Sequence, residues 1–322
     1  AMLIHILYIT LITSQFAALI YLIRGLRLNG TKLSEIKGQQ RETKKSISQL
    51  EKSLRRDLLK AQSQLSLLNL LAPGSDDRSW EFVLSLTSHP ARFDALAQML
   101  PTLKNQVLQP TKIYLNIATH DVAALPQSVK DIVATGYVTL NETDDLGPGK
   151  KLIPTLALEK KLPIIVIDDD LILSPDLTLK IMLQHHLYPA CIIASRVHLV
   201  TFDKDGNPLP FSQWEKSYEY EDGPSSELMA TSGAGTLFPA DSLHSDVANV
   251  EAFKELSFHT DDLWWYFQAR RKGTQVRRVP GFRALTFIPD SQVVGLWNTG
   301  NKNRNDENLE KLIKKYGDIR GA

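Results

Sequence analysis

The most constraining feature of this chain is an aliphatic run that ends in three consecutive aspartates, IIVIDDD over residues 164–170. A short apolar run of this kind, preceded by Pro163, is typical of a strand that is buried on both faces of a sheet. Such strands belong to α/β folds, in which a largely parallel sheet lies between layers of helices. The sequence therefore predicts an α/β domain with Asp168, Asp169 and Asp170 where a central strand ends.

The three aspartates also indicate a chemistry. Adjacent carboxylates repel one another, so they need a cation or hydrogen-bond donors close by. The carboxyl ends of parallel strands border the crevice in which open α/β sheets bind ligands. Hard divalent cations such as Mg²⁺ and Mn²⁺ take oxygen ligands, so we predict a metal that carries phosphates at this position.

The remainder of residues 80–322 alternates between strand and helix patterns, which indicates repeated βαβ units. We predict strands at 81–86, 112–117, 137–140, 163–168, 191–194 and near 284–288. We predict helices at 92–105, 127–134, 151–161, 176–187, 260–272 and from about 306. Residues 72–79, which include Pro73 and Gly74, are predicted to link this domain to the preceding part of the chain.

Residues 1–23 are predicted to form a transmembrane anchor, because they contain no Lys, Arg, Asp or Glu, with His5 as the only side chain that titrates near neutral pH, and the stretch can span a bilayer. A cleaved signal peptide is the alternative, but the stretch has no basic leader and no small-residue cleavage site. Arg24 and Arg27 follow directly, and the positive-inside rule then places the later residues in the cytoplasm. The single cysteine, Cys191, agrees with a reducing compartment.

Residues 24–71 are predicted to form a basic, helical stalk. Residues 24–60 contain eleven Lys and Arg but four Asp and Glu, a balance that favours contact with anionic lipid beside a membrane. From Ile47 to Leu68 the apolar residues are spaced as a heptad seam with one stutter. Either the seam pairs with other copies of the chain as a coiled coil, which we favour, or it packs on the following domain.

Two polar segments follow predicted strands in the first half of the domain. SLTSHPARF at 85–93 places hydroxyls and Arg92 where they would suit a nucleotide; alternatively, Ser88 caps a helix and Arg92 is solvated. GPGKK at 147–151 lacks the spacing of a P-loop, yet glycines and two lysines before a helix suit a diphosphate. A tight turn with solvated lysines is the alternative.

Two further segments lie in the second half. TSGAGT at 231–236 would let backbone approach a ligand closely, or it is a strand bulge. Asp261 and Asp262 begin a predicted helix, where one acid can stabilise the helix start while the other faces the cleft as a general base. In the aromatic run that follows, Trp264 is a candidate sugar-stacking platform, although most of the run is expected in the core.

The order of these segments resembles bacterial glycosyltransferases of the GT-A fold, a Rossmann-like sheet flanked by helices, and especially inverting enzymes of the family-2 type. The resemblance covers about residues 80–290 and excludes the anchor and the stalk. Its segments are LTSHPAR at 86–92, GPGKKLIP at 147–154, IDDD at 167–170, GAG at 233–235 and the acidic pair at 261–262.

The resemblance implies a role for each segment. Thr87, Ser88 and Arg92 would contact the nucleotide, and Lys151 would reach the ribose or the diphosphate. Asp168 and Asp169 would join the donor site, Asp170 and Asp168 would hold Mn²⁺ or Mg²⁺, and Asp262 or Asp261 would be the base. The acceptor side would comprise Gly233, Ala234, Gly235 and Trp264.

The chain departs from the family pattern at two points. No histidine follows His259, so the metal would rest mainly on Asp170, the diphosphate and water. Asp261 replaces a glutamate that is common in the family's acidic pair, so which acid is the base stays open. His89, His198 and His259 are expected in the core or at the surface rather than on a metal.

The implied function is metal-dependent transfer of a sugar, with inversion, from a nucleotide diphosphate donor that we expect to be a UDP-sugar. The acceptor would be a saccharide or lipid-linked saccharide at the bacterial inner membrane, and no nucleic acid partner is expected. A sugar nucleotidyltransferase is the alternative, although residues 85–93 contain none of the glycines typical of that class. A non-catalytic membrane scaffold that binds a nucleotide sugar is a second alternative.

Overall fold

The computed structural model describes residues 39–50, 79–281, 285–289, 291 and 301–317. The chain divides into two units, Ala1–Asp57 and Leu58–Ala322. In the first unit, residues 39–50 form helix α1 with exposed side chains, including the seam residues Ile47 and Leu50. The predicted anchor and the rest of the predicted seam lie outside the described residues. No helix in the described ranges is long and apolar enough to cross a bilayer.

The described part of the second unit is built from short strands and helices in alternation. The strands are β1 (Val83–Thr87), β2 (Lys112–Ala118), β3 (Thr139–Thr143), β4 (Ile164–Val166), β5 (Ile192–Ala194), β6 (Val197–Leu199), β7 (Leu228–Ala230), β8 (Thr236–Phe238) and β9 (Val276–Arg278). The helices are α2 (Phe93–Met99), α3 (Gln127–Ala134), α4 (Ile153–Leu158), α5 (Leu177–Leu187), α6 (Val250–Ser257), α7 (Asp261–Lys272) and α8 (Asn301–Tyr316).

Seven of these strands form one mixed sheet in the order β3-β2-β1-β4-β8-β5-β9. Strand β8 pairs antiparallel with β4 and β5, whereas the other pairings are parallel, so β8 alone runs in the opposite direction. The carboxyl ends of β1, β4 and β5 therefore meet the amino end of β8 at one edge of the sheet. The predicted mostly parallel sheet is confirmed.

Helices cover both faces of the sheet, and the aliphatic run before the aspartates divides between two cores. Ile164 and Val166 pack into a cluster with residues of α6 and α7, whereas Ile165 and Ile167 pack against residues of α2 and α5. All four side chains are almost completely buried. The alternation follows from the two-residue period of a strand, and it fixes β4 in the middle of the domain.

Several predicted boundaries differ from the structure for local reasons. The predicted helix at 92–105 is interrupted near Pro101, which has no backbone N–H to continue the α-helical hydrogen bonds; Leu100–Asn105 instead forms a 3-10 turn. The strand predicted near 284–288 is wrong, since Phe287 there makes an isolated bridge to Leu171. Strands β6 to β9 were not predicted, because they lack the run of β-branched aliphatic residues that marks β4 and β5.

Candidate active site

Polar segments next to the ends of several strands line a cavity of about 560 Å³ at the sheet edge described above. Its volume lies in the range of small-molecule sites. The residues that were predicted for the site and that line the cavity are Thr87, Ser88, Arg92, Lys151, Asp168, Asp169, Asp170, Gly233, Ala234, Asp261 and Asp262. Two predicted site residues do not line the cavity. Gly235 directly follows the lining residue Ala234, and Trp264 lies in the core.

The acidic turn, Asp168 to Asp170, directly follows β4 and is held by residues that follow β1. Ser88 Oγ donates a hydrogen bond of 2.5 Å to Asp169 Oδ2. Arg92 pairs with two of the acids, through Nε to Asp169 Oδ1 at 3.4 Å and Nη1 to Asp170 Oδ2 at 2.9 Å. The alternative of a solvated Arg92 is therefore wrong, and this guanidinium offsets part of the repulsion within the turn.

Asp169 carries the electrostatic cost of the acidic turn. Burial, together with the neighbouring Asp168 and Asp170, raises the pKa of this carboxyl to about 7 against the opposing effects of Arg92 and Ser88. Arg92 and Ser88 therefore compensate only part of the negative charge of the acidic turn. An additional cation would be favoured here.

A later segment, which the sequence patterns did not connect to the site, covers the acidic turn. Ile288 N donates to the Asp170 carbonyl at 2.8 Å, and Ser291 Oγ donates to Asp170 Oδ2 at 3.2 Å. Phe287 lies beside them at the cavity wall and is 39% exposed. Asp170 is consequently enclosed, with 2% of its side chain exposed, whereas Asp168 is 38% exposed.

Lys151 connects the acidic turn to the acidic pair. It ends the 3-10 turn Gly147–Lys151, and its Nζ lies 2.7 Å from Asp168 Oδ1 and 3.2 Å from Asp261 Oδ2. Burial opposes the ammonium charge, but Asp168, Asp261 and Asp262 raise the pKa of Lys151 well above its usual value. The same ammonium also holds the pKa of Asp168 below its usual value although burial acts to raise it. The alternative of a solvated lysine is wrong for this residue.

Lys150 is buried beside Lys151 but has a different partner. Its Nζ lies 2.5 Å from Asp145 Oδ1, the same carboxylate oxygen that accepts a hydrogen bond from Gly147 N at 2.9 Å. This arrangement closes the glycine turn on itself. Both lysines of the segment therefore line the cavity already paired with acids.

The turn Ser232–Ala234 brings backbone against the acidic turn. Asp168 N donates to the Gly233 carbonyl at 2.9 Å. A Cβ atom at Gly233 would lie 1.8 Å from Asp168 Oδ2, so a larger residue cannot occupy this position without moving the carboxylate. Gly235 has φ +103, a conformation that residues with side chains rarely adopt. The close approach seen at Gly233 is to the Asp168 carboxylate, whereas the predicted close approach to a ligand stays a prediction.

The two acids that begin α7 have different environments. Asp261 is 7% exposed and pairs with Lys151, whereas Asp262 is more exposed and accepts hydrogen bonds from Ser232 N at 2.9 Å and Ser232 Oγ at 2.5 Å. Burial and Asp261 raise the pKa of Asp262 to about 7, against the opposing effects of Lys151 and Ser232. A carboxylate with such a pKa is suited to proton transfer near neutral pH.

The predicted stacking role of Trp264 is wrong. Its side chain is fully buried, and its indole Nε1 donates to the Val247 carbonyl at 3.2 Å. Phe253 and Tyr316 pack against its ring. Trp264 is therefore a core residue of α7 with no surface on the cavity.

Arg196 lines the cavity and was not predicted. It lies two residues beyond the carboxyl end of β5, so the rule that ligands bind beyond the carboxyl ends of parallel strands was a usable signal. Burial lowers the pKa of Arg196, and the nearby Asp262 and Asp168 act in the opposite direction by favouring its charged form.

Of the three histidines considered for the site, His89 and His259 line the cavity, and His198 is buried.

The cavity fits a divalent cation only with help from a substrate. In the described ranges, no group of three or more His, Cys, Asp or Glu side chains is arranged to hold a metal. Seven carboxylates and four cationic side chains line the cavity, so oxygen ligands and excess negative charge are both present. Asp168 is the more accessible of the two predicted metal ligands, and a diphosphate would have to supply further oxygen atoms.

No family model matches the chain, and no curated protein matches it. Among solved structures, a mannosyltransferase from Pyrobaculum calidifontis in complex with GDP-Man and Mn²⁺ is 13% identical; the match covers 82% of this chain and 73% of that chain, with a TM-score of 0.46. A 4-diphosphocytidyl-2C-methyl-D-erythritol synthase is 11% identical over 69% and 100%, with a TM-score of 0.41. A CMP:2-keto-3-deoxy-manno-octonic acid synthetase complexed with CTP is 10% identical over 70% and 100%, with a TM-score of 0.39. TM-scores this low assign neither a fold family nor a function to this chain.

Proposed function

We propose that this chain is a GT-A-like glycosyltransferase, which moves a sugar from a nucleotide diphosphate donor, preferentially a UDP-sugar, to an acceptor hydroxyl. The observation that carries the proposal is the bridge of Lys151 between Asp168 and Asp261. This contact supports a donor role for Asp168 and an acceptor role for the acidic pair, because both groups lie close to one ammonium group. A transferase needs both functions in a single cavity.

The donor side of the proposed site consists of the residues that follow β1 and β4. Arg92 and Lys151 orient the nucleotide diphosphate by charge, and Asp168 with Asp170 would hold a divalent cation. When bound, the cation would neutralise charge on the diphosphate as it leaves. The hydroxyl of Ser88 supports this arrangement indirectly, because it holds Asp169 in place.

The acceptor side of the proposed site is Asp262. Its carboxylate accepts the proton of an acceptor hydroxyl, whose oxygen forms a bond to the anomeric carbon of the donor sugar. The bond between that carbon and the diphosphate oxygen breaks, and its electron pair leaves with the nucleoside diphosphate. Attack from the face opposite the leaving group inverts the anomeric configuration, so a product with the configuration of the donor would contradict this step.

The proposed cellular setting follows from the N-terminal sequence. A single-pass anchor at residues 1–23 would hold residues 80–322 at the cytoplasmic face of a bacterial inner membrane, with residues 72–79 as a linker. Acceptors near that surface include lipid-linked saccharides and nascent surface polysaccharide. The stalk at residues 24–71 would join copies of the chain through its heptad seam.

A panel of nucleotide sugars tests the proposed function on the full chain in detergent. We expect one donor, with Mn²⁺ or Mg²⁺, to raise the melting temperature and to be hydrolysed or transferred. Asp168→Asn should weaken the stabilisation, whereas Asp241→Asn should not, because Asp241 is an exposed acid outside the cavity that pairs with Lys272. Release of pyrophosphate from a nucleoside triphosphate would instead identify a nucleotidyltransferase, and binding without turnover would identify a scaffold.

A further inference from the structure

Arg196 is the one cationic side chain of the cavity wall that has no ion pair with a described residue. Lys150 pairs with Asp145, Lys151 with Asp168 and Asp261, and Arg92 with the acidic turn. The only side-chain hydrogen bond of Arg196 to the described part of the chain runs from its Nε to Ser217 Oγ, at 3.0 Å. Within the described ranges, neither of its two terminal nitrogens has a hydrogen bond or an ion pair.

The backbone of Arg196 is fixed next to the proposed base. Thr231 donates to the Arg196 carbonyl from both its N, at 3.0 Å, and its Oγ1, at 3.2 Å. The next residue, Ser232, holds Asp262. Because Thr231 and Ser232 are consecutive, one short segment holds both the Arg196 backbone and the Asp262 carboxylate, and Asp262 also favours the charge of the Arg196 guanidinium.

The side chain is also held from behind. Ser217, which binds Arg196 Nε, has φ +49, a left-handed conformation that is uncommon for serine and that tends to occur at functional sites. Ser217 N donates to His198 Nδ1 at 3.1 Å, so that this nitrogen carries no proton. Burial, with Arg196 and Lys216 nearby, lowers the pKa of His198 to about 3, and the ring remains neutral. The hydrogen bond from Arg196 Nε to Ser217 thus holds the guanidinium in position before a ligand binds.

Arg196 and Arg92 follow strands that are not neighbours in the sheet. Arg92 follows β1 and Arg196 follows β5, and β4 and β8 lie between these strands. The donor diphosphate of the proposed function already has Arg92 and Lys151. A planar anion such as a carboxylate or phosphate can bind a partly buried guanidinium through two parallel hydrogen bonds.

We propose that Arg196 binds an anionic group of the acceptor, a sugar carboxylate or phosphate, next to the hydroxyl that Asp262 deprotonates. This inference rests on the proposed function, because it takes the Asp262 side of the cavity to be the acceptor side. It makes this chain selective for acidic acceptors despite the many carboxylates in the cavity wall. A neutral acceptor would offer the guanidinium no charge-assisted hydrogen bond.

Binding of small probes to the full chain in detergent tests the proposal. Glucuronate, glucose 1-phosphate and glucose are titrated by saturation-transfer NMR, with and without UDP. We expect at least one charged sugar to bind about tenfold more tightly than glucose, as charge-assisted hydrogen bonds allow. Preference for glucuronate would identify a carboxylate acceptor, and preference for glucose 1-phosphate a phosphate acceptor.

Variants decide whether Arg196 is responsible. Arg196→Met should abolish the preference for the charged sugar, and Arg196→Lys should retain part of it, because lysine keeps the charge but not the planar fork. The control is Arg271→Met. It removes a positive charge of the same kind from a residue that pairs with Asp246 outside the cavity, and it should leave the preference for the charged sugar unchanged. Melting curves and UDP affinity confirm that each variant is folded.

Two results would overturn the proposal. One is equal affinity of the wild type for charged and neutral sugars, undetectable binding of all three included. The other is a charge preference that survives in Arg196→Met, with or without a loss of UDP affinity. Neither result requires turnover, so both are distinct from a failure to find any nucleotide-sugar donor, which would instead count against the proposed function.

Discussion

At the scale of single residues, Asp262 shows how a local environment prepares a side chain for proton transfer at some cost to stability. Ser232 donates two hydrogen bonds to it, yet burial and Asp261 raise its pKa to about 7. Because the pKa is higher in the folded than in the unfolded chain, the ionised carboxylate disfavours folding. This penalty is absent below the unfolded pKa, grows as the pH rises toward 7, and is fully present above it.

Asp262→Asn should therefore stabilise the protein while it abolishes transfer. We expect transfer to fall by at least about a hundredfold, because the general base is lost. The melting temperature should rise by a few degrees (roughly 2–4 °C) at pH 8, and the rise should be smaller at pH 5. Differential scanning fluorimetry at both pH values measures this.

The matched control for this variant is Asp241→Asn. Asp241 has φ +59, which asparagine also tolerates, so the control removes an exposed carboxylate without backbone strain. It should change neither transfer nor the pH dependence of melting. A destabilised Asp262→Asn at pH 8 would contradict our account of the Asp262 environment.

The same residue predicts a pH dependence of catalysis. Asp262 must be ionised to accept the acceptor proton, so kcat/KM should increase as the pH rises through about 7 and then level off. Initial rates between pH 5.5 and 8.5 measure the profile, with melting curves to exclude unfolding. A rate that is constant over this range would argue against Asp262 as the base.

At the scale of elements, short turns rather than helices determine the cavity. The turn Ser232–Ala234 contributes Gly233 against Asp168 and Ser232 against Asp262, so one three-residue element contacts both acidic groups. The turn Gly147–Lys151 does the same through the Lys151 ammonium. Because β8 runs opposite to its neighbours, its amino end presents the first of these turns to the carboxyl ends of β4 and β5.

Gly233→Ala should damage the donor side selectively. Its Cβ would lie 1.8 Å from Asp168 Oδ2, so the carboxylate has to move away from its position beside Lys151. We expect the affinity for the nucleotide-sugar donor to fall by about tenfold or more, and stability to fall by roughly 1–3 kcal/mol as in other overpacked sites. Titration calorimetry with the identified donor and a urea melt measure the two effects.

Gly273→Ala separates strain from local displacement. Gly273 has φ +79, but a Cβ atom there would have no heavy atom within 4 Å. This variant should lose about 1 kcal/mol or more of stability from its backbone conformation while its donor affinity stays unchanged. A similar loss of donor affinity in both variants would show that the Gly233 effect is only general destabilisation.

Much of this arrangement was predictable from the sequence, for reasons that differ between residues. The position of Asp168 to Asp170 follows from the two-faced burial of residues 164–167, which is a strong local pattern. Helix α3 has the predicted bounds, Gln127–Ala134. Ser291 was not predicted, because it reaches Asp170 across 121 positions and no local pattern encodes such a contact. Trp264 was misassigned because its neighbours are also aromatic, and sequence alone does not show which face of α7 is buried.

At the scale of the whole molecule, the proposed membrane anchor should determine which acceptors the proposed catalytic domain reaches. Deleting residues 1–30 should leave transfer to a soluble acceptor unchanged and lower transfer to an acceptor embedded in vesicles, because the anchor raises the local concentration of enzyme at the bilayer. Rates with both acceptors on the same preparations measure the ratio. Equal effects on both acceptors would contradict a role for the anchor in acceptor access.

Because Lys151 contacts both Asp168 and Asp261, donor binding and the proton affinity of the acidic pair are thermodynamically linked. A diphosphate that approaches this ammonium competes with Asp261 for its charge, so the acidic pair becomes less neutralised and holds a proton more tightly. The base is then strongest when the donor is in place, and reciprocally the donor binds more tightly once that proton is present. A carboxyl-carbon NMR titration of Asp262 with and without UDP should record this interlock as an upward shift of its pKa.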